Sequence, residues 1–288
     1  MKKNKMIMAF LMVFCAAGIL FFSNGGQAHS GQKMEPLKTT ILRVGKADAI
    51  VVQTIEKTMV IDVGEEEDGE EMVTFLKNQG ITKIDALIIT HYDKDHVGGA
   101  DTLVEEMEIE RVLLPDYEGS STEYSDFVNA LQQKQLTPER LTEPVSFAFG
   151  EAQVLVEPPI SYEIEEGVME YDNNFSLITT ITHGKNRLLF TGDIEKQRIR
   201  EWISQREHAA CQFLKMPHHG VYNKALAELI EIVKPEKAVI CSSKKNPAES
   251  KTLELLKQTG VQILQTKDGN ITVISDGEQL EMHQDLER

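Results

Sequence analysis

From Leu37 onward the chain is a succession of short apolar, β-branched runs broken by glycine, proline or polar turns. Residues 39–44, 49–53 and 58–62 predict strands that open an antiparallel sheet, the last closed by Gly64. A helix is predicted next, because Met72, Phe75 and Leu76 recur at i, i+3, i+4 behind the acidic stretch 65–71, whose carboxylates suit the N-terminal end of a helix dipole. A strand over 84–90 follows, then a helix marked by Ala100, Leu103, Val104 and Met107, a strand at 111–114 and a helix at 121–133. Residues 145–149 and 152–156 read as a hairpin through Gly150-Glu151, and 175–182 and 187–191 as two strands about the turn 183–186. In the last third, predicted helices at 194–205, 224–233 and 249–259 alternate with strands at 212–216, 238–241 and 261–264, with a final strand at 271–274. Amphipathic helices alternating with strands predict helices packed on a sheet, an α/β architecture.

Composition adds an address and a charge. The chain has 288 residues, 41% of them hydrophobic, which suffices for a sizeable core and argues against disorder. Lys2, Lys3 and Lys5 precede an uncharged run over 6–22 and the small-residue site Gly26-Gln27-Ala28. That order predicts a signal peptide over residues 1–28, or an uncleaved N-terminal anchor, since the run lies between the usual lengths of the two. Either way the body is expected to be secreted or held on the outer face of the cytoplasmic membrane, and to meet a membrane only if the segment is uncleaved. The net charge is −16, and residues 1–28 hold three lysines and no acid, so the remainder carries −19. Long polyanions are disfavoured as partners and small anions are not. Cys211 and Cys241 lack CxxC spacing, which argues against thiolate zinc and against a disulfide framework.

The densest chemistry is Thr90-His91-Tyr92-Asp93-Lys94-Asp95-His96-Val97-Gly98-Gly99, directly after the apolar run Ala86-Leu87-Ile88-Ile89. Four of the eight histidines fall in this stretch and in Met216-Pro217-His218-His219-Gly220, each terminating an apolar run. A buried strand ending in such a cluster puts imidazoles and carboxylates on a loop at a sheet edge. His91, Asp93, Asp95 and His96 are candidate metal ligands, and Asp193, at another strand end, is a carboxylate able to bridge two ions. Asp62, after its own buried strand, is expected to orient a ligand imidazole or to bind metal directly.

These residues, with Val44-Gly45-Lys46-Ala47-Asp48-Ala49, Ile61-Asp62-Val63-Gly64, Asn173-Asn174-Phe175-Ser176-Leu177, Phe190-Thr191-Gly192-Asp193 and Leu214-Lys215-Met216-Pro217-His218-His219-Gly220, occur in the order seen in metallo-β-lactamase-fold hydrolases. The pattern most resembles the extracellular hydrolase domain of ComEC-type DNA-uptake proteins. The resemblance implies an αββα four-layer sandwich, a single hydrolase domain over residues 37–288, and a water activated by two divalent ions, Zn²⁺ or Mn²⁺. It implies as metal ligands His91, Asp93, Asp95, His96, Asp193 and one of His218 and His219, the other facing substrate. Asp93 stands where the wider superfamily commonly has histidine, which shifts the site toward oxygen-preferring ions. Asp95, His219 and Lys215 are the candidate catalytic groups. Lys215 either neutralises an anionic substrate or faces solvent, and Asn174 and Ser176 either contact substrate and ligands or form a hydrogen-bonded turn. The acidic stretch 158–172, with little periodicity, reads as a loop over the site. His29, His183, His208 and His283 are expected to be structural or exposed. The resemblance departs after residue 241, where Ser242-Ser243-Lys244-Lys245-Asn246-Pro247-Ala248 lacks the His-Pro usual in ComEC-like sequences. The implied activity is hydrolysis of a phosphodiester, nucleotide or nucleic-acid-like, the charge disfavouring long nucleic acid. Its alternatives are a hydrolase of a non-phosphate ester, lactone or lactam and a binding protein that kept the fold.

Overall fold

Every residue of strand Thr58–Val63, and all of Ala49–Gln53 except its last, is buried. Both faces of the sheet they belong to must therefore be covered. The computed structural model describes residues 34–163, 171–206 and 208–285. The signal or anchor segment lies outside these residues, as do residues 164–170 of the acidic stretch.

Two sheets carry the fold. The first has the order Leu280–Gln284, Ile271–Ser275, Leu37–Ile41, Ala49–Gln53, Thr58–Val63, Ala86–Ile88, Val112–Pro115 and Glu139–Leu141. The second runs Gln262–Gln265, Lys237–Ile240, Phe213–Lys215, Asn186–Phe190, Ile178–His183, Ala152–Glu157 and Val145–Phe149. Each sheet is antiparallel where short turns join neighbours and parallel where helices cross over, as at Thr58–Val63 beside Ala86–Ile88 and at Phe213–Lys215 beside Lys237–Ile240. The predicted strand over 84–90 is divided: Lys83–Ile84 pairs with Glu108–Ile109 in a small separate sheet, and Ala86–Ile88 enters the large one.

Alternation along each strand sorts its side chains into separate cores. Ile50, Val52, Met59, Ile61 and Ile88 of the first sheet meet Val154, Ile181, Leu188, Phe190, Phe213 and Val239 of the second in the layer between them. The opposite faces pack on helices. Val51, Val60 and Leu87 lie against Met72 and Leu76 of Asp68–Asn78, Leu103 and Val104 of Ala100–Glu106, and Phe127 of Thr122–Gln133. Leu189, Leu214 and Ile240 lie against Ile199 and Trp202 of Lys196–Ser204, Leu229 of Ala225–Val233 and Leu256 of Ser250–Gln258. The result is helix, sheet, sheet, helix, the αββα order.

One glycine contact fixes the loop that matters. A Cβ on Gly99 would lie 2.6 Å from Gly69 Cα, so only glycine lets the turn after His96 close onto the helix Asp68–Asn78.

Candidate metal centre

The strands of both sheets deliver their polar ends to one edge. Asp62 comes from the last turn of Thr58–Val63, and His91 to His96 from the loop and short helix Lys94–Val97 after Ala86–Ile88. Asp193 follows Asn186–Phe190, Lys215 ends Phe213–Lys215, and His219 sits in the tight turn Pro217–Gly220. Asp62, His218 and His219 have φ of 57°, 46° and 52°. Left-handed backbone at non-glycine residues is uncommon and is held here by the packed edge, which aims the side chains.

The donors converge. His96 Nε2 lies 3.3 Å from Asp193 Oδ2, His219 Nε2 lies 2.9 Å from the same oxygen, and His219 Nε2 lies 3.2 Å from Asp95 Oδ2. His91, His96 and Asp193 form one group with ligand atoms within 4.8 Å of one another, and Asp95, His96 and His219 form a second. All of these residues are buried. His91 Nε2, His96 Nε2 and His219 Nε2 have no aligned hydrogen-bond partner. Buried nitrogens left without hydrogen bonds are costly unless something else satisfies them, and a cation held by these groups would do so. The donor set of imidazoles and carboxylates thus fits divalent metal.

Charge explains the protonation states. Burial alone would lower the His96 imidazole, but Asp193 and Asp62 raise it well above its usual value. His219 is likewise raised by Asp193 and Asp95 against burial. Burial would raise the Asp95 and Asp193 carboxyls, yet the neighbouring imidazoles hold both well below the usual carboxylate range, with Lys215 adding to the effect on Asp193.

Behind the donors stands a layer of orienting groups. Asp62 Oδ2 lies 2.9 Å from His96 Nδ1, and Asp62 also accepts from the Thr90 amide and hydroxyl, each at 2.7 Å. The Thr90 hydroxyl in turn lies 3.0 Å from His91 Nδ1. Ser176 Oγ accepts from the Asp193 amide at 3.2 Å, whereas Asn174 Oδ1 accepts from the Arg198 amide at 3.1 Å and so caps the helix Lys196–Ser204.

Several expected residues sit elsewhere. Asp93 is at the rim, its side chain 44% exposed and its Oδ2 3.6 Å from His91 Nε2. His219 enters the donor cluster, while His218 turns away to pair through Nδ1 with Glu195 Oε1 at 3.1 Å. The left-handed backbone at both positions sends the adjacent rings in different directions. Lys215 faces neither an open substrate side nor solvent. It is 1% exposed, its ammonium pairs with Asp48 and lies 3.4 Å from Asp193 Oδ1, and these charges raise its pKa against the effect of burial. His183 is buried with Nδ1 2.8 Å from Ser275 Oγ, while His208 and His283 are exposed.

Asp48 has no role in the sequence reading although it stands in a quoted motif. Buried beside Lys215, it holds Oδ1 3.8 Å from His219 Nδ1 and Oδ2 3.9 Å from His96 Nδ1. The signal available was its position: an acid immediately before a fully apolar strand, in a chain with metal-ligand motifs at other strand ends. Thr90 was overlooked because a hydroxyl at a strand end is ordinary.

Comparison with known proteins agrees with this geometry. The profile of the Metallo-beta-lactamase superfamily matches residues 42–244. ComE operon protein 3 of Bacillus subtilis is 28% identical over 205 residues, covering 70% of this chain and 26% of that protein. Recombination protein 2 of Haemophilus influenzae is 26% identical over 219 residues, covering 72% of this chain and 24% of that protein. The chain thus spans about a quarter of the length of these relatives. Among solved structures, Tm1679, a metal-dependent hydrolase of the beta-lactamase superfamily, aligns over 80% of this chain and 95% of its own with a TM-score of 0.57 at 12% identity, a likeness of fold. Profile, fold and the convergence of histidines and aspartates at one sheet edge agree: the chain belongs to the metallo-beta-lactamase superfamily, with Competence protein ComA of Neisseria gonorrhoeae, 22% identical over 236 residues, also among its sequence relatives.

Proposed function

We propose that this protein is an exported, metal-dependent hydrolase that cleaves a phosphodiester with an activated water. The observation that carries the reading is the convergence of the buried Nε2 atoms of His91, His96 and His219, none with an aligned hydrogen bond, on the carboxylates of Asp95 and Asp193. Two divalent ions, Zn²⁺ or Mn²⁺, held by His91, Asp93, Asp95, His96, Asp193 and His219, would supply water acidified toward neutral pH and positive charge opposite both the attacking and the leaving oxygen.

The chain's own residues do the rest. Asp193 lies within reach of both imidazole groups and is fixed by Ser176. Asp62 and Thr90 hold His96 and His91 with their Nε2 atoms toward the cluster. Asp95, kept ionised by His219 and His96, is a carboxylate that would hold metal and accept a hydrogen bond from the attacking water. Neither described cysteine is placed for nucleophilic attack, since Cys211 and Cys241 are both buried, and the burial of Ser176 behind Asp193 likewise leaves water as the nucleophile.

Substrate class rests on the competence-protein relatives, which favour a nucleotide or nucleic-acid-like diester, and on the charge of −19 outside residues 1–28, which favours short substrates over long duplexes. Export rests on the sequence of residues 1–28. No helix among the described residues is long and apolar enough to cross a membrane. The test is metal analysis of the purified protein with a hydrolysis screen over bis(p-nitrophenyl) phosphate, short oligonucleotides, a lactone and a β-lactam. Chelator-sensitive diester turnover is expected. Bound metal with no turnover on any substrate would move the assignment to a binding protein, and turnover confined to the lactone or lactam would replace the diester.

A further inference from the structure

Two lysines touch the donor cluster among the described residues, and they differ in what they face. Lys215 is sealed in the interior and neutralised by Asp48 and Asp193, so it has no charge to offer an incoming molecule. Lys46 has its Nζ 2.6 Å from Asp95 Oδ2, yet its side chain is 34% exposed. It therefore reaches the cluster from the solvent side.

The loop that carries Lys46 is fixed on both sides. Leu42 N donates to Ala49 O at 2.9 Å, Ala47 N donates to Val44 O at 3.1 Å, and Asp48 N donates to Asp95 O at 3.1 Å. Gly45, with φ of 66°, supplies the left-handed turn that lifts the next residue over the site. The neighbours Ala47 and Asp48 are buried, so the backbone cannot drift while the four-carbon stem of Lys46 remains free to pivot.

Asp95 Oδ2 cannot serve Lys46 and a cation equally. The same oxygen faces His219 Nε2 at 3.2 Å within the donor group Asp95, His96, His219. A cation held by that group would repel the ammonium and satisfy Asp95, leaving Lys46 at the mouth without its Asp95 partner. An anionic substrate supplies another.

We propose that Lys46 is the substrate-binding residue that clamps a non-bridging oxygen of the anionic phosphoryl group, so that the site selects phosphate diesters over neutral esters. A lysine ammonium suits this role as a mobile point charge with three donors. The inference deepens the phosphodiesterase reading and rests on it for the identity of the anion.

The experiment compares wild type, Lys46→Gln and Lys46→Arg, each loaded with Mn²⁺, with two readouts. Calorimetric titration of inorganic phosphate should give a Kd about tenfold or more weaker in Lys46→Gln, with most of the affinity kept in Lys46→Arg, the loss expected for one charged hydrogen bond. Turnover of bis(p-nitrophenyl) phosphate should fall through KM, while hydrolysis of the neutral p-nitrophenyl acetate and the metal stoichiometry stay within about twofold. A merely structural ion pair to Asp95 predicts the opposite, changed metal content or thermal midpoint with phosphate affinity intact, and that result overturns the proposal. So does a wild type that binds no phosphate. If wild type fails to cleave any diester but binds phosphate through Lys46, the parent reading falls and the Lys46 clamp stands. Diester turnover with phosphate binding indifferent to Lys46 gives the reverse.

Discussion

Asp62 Oδ2 and His96 Nδ1 meet at 2.9 Å in the fully buried floor of the site, and the same carboxylate holds the Thr90 hydroxyl that reaches His91 Nδ1. One carboxylate thus fixes the orientation of two imidazoles, each of whose Nε2 atoms must point at the donor cluster. Removing it deletes no donor but frees both rings. Asp62→Ala is expected to weaken metal affinity by about 10- to 100-fold, the usual effect of losing an orienting carboxylate. Asp62→Asn should recover part of the loss, because asparagine tolerates the left-handed backbone at φ 57° and still accepts from the Thr90 amide. Equilibrium dialysis against Mn²⁺ or Zn²⁺ checks this, and wild-type affinity in Asp62→Ala would show that His96 is held by packing alone.

The metal-free imidazoles carry a pH dependence whose sign follows from their charges. Asp193, Asp62 and Asp95 outweigh burial and raise His96 and His219, so both must lose a proton before Nε2 accepts a cation. Asp95 and Asp193 are depressed and stay ionised from weakly acidic to alkaline pH, contributing no proton there. Metal affinity therefore rises with pH up to the folded imidazole values, and filling the set that contains both His96 and His219 at neutral pH releases up to about two protons. The raised imidazoles stabilise the metal-free protein fully below their unfolded value of 6.5, and this contribution is lost as pH rises through the folded values. Calorimetry of metal binding at pH 7 in two buffers of different ionisation enthalpy measures the proton count. A count of zero would mean that the imidazoles are already neutral.

Short apolar, β-branched runs made most of the sheet legible, because strands such as Ala49–Gln53 and Thr58–Val63 are mostly apolar and buried on both faces. Glu139–Leu141 and Leu280–Gln284 were not foreseen. Both are outer strands of the first sheet with exposed positions, and nothing in three or five half-polar residues distinguishes an edge strand from a loop. The donors were legible for a different reason, since acids and histidines at the ends of apolar runs are conspicuous in one dimension. Which way each points was not. Lys215 ends a strand, where alternation allows either face, and the inward choice is made by Asp48, more than 160 residues away in the chain. His218 and His219 are adjacent, and only the left-handed turn decides that one meets Asp193 and the other Glu195. Long-range charge pairs and local backbone handedness are properties of the assembled edge.

The two described cysteines should remain reduced even under the export proposed above. Phe213–Lys215 and Lys237–Ile240 are parallel, pairing Phe213 with Lys237 and Lys215 with Val239, so Cys211 precedes the shared register and Cys241 follows it. A disulfide requires Cα atoms within about 7 Å, whereas position 235 is level with Cys211 and Cys241 lies six residues beyond it, on the order of 20 Å along the strands. Both thiols are buried, and burial pushes Cys211 up to about 11. Neither should react with a thiol reagent at pH 8 until the protein is unfolded, after which peptide mapping should find both labelled. A peptide linking Cys211 to Cys241 would be incompatible with the parallel pairing.

The donors also divide unequally between two ions. Asp95, His96 and His219 are all buried and lie around Asp193, which makes one complete set. The other group, His91, His96 and Asp193, shares His96 and Asp193 with the first and adds only His91, with Asp93 beside it at the exposed rim. Ser176 and Asn174, the nearby polar residues of the motif 173–177, give their oxygens to the Asp193 and Arg198 amides. The second ion must then draw its remaining ligands from solvent, and its affinity should be weaker by about tenfold or more. Metal titration should show two steps, with turnover rising as Mn²⁺ or Zn²⁺ is added beyond one equivalent. Asp93→Ala should erase the weak step and keep the strong one, whereas Asp95→Ala should erase the strong step and all turnover while the fold, followed by circular dichroism, persists. His208→Ala, exposed and without a place in the site, should match wild type throughout. Equal affinities for the two ions, hydrolysis that survives chelation, or full activity in Asp95→Ala would each contradict this division, because each requires the buried set to be dispensable.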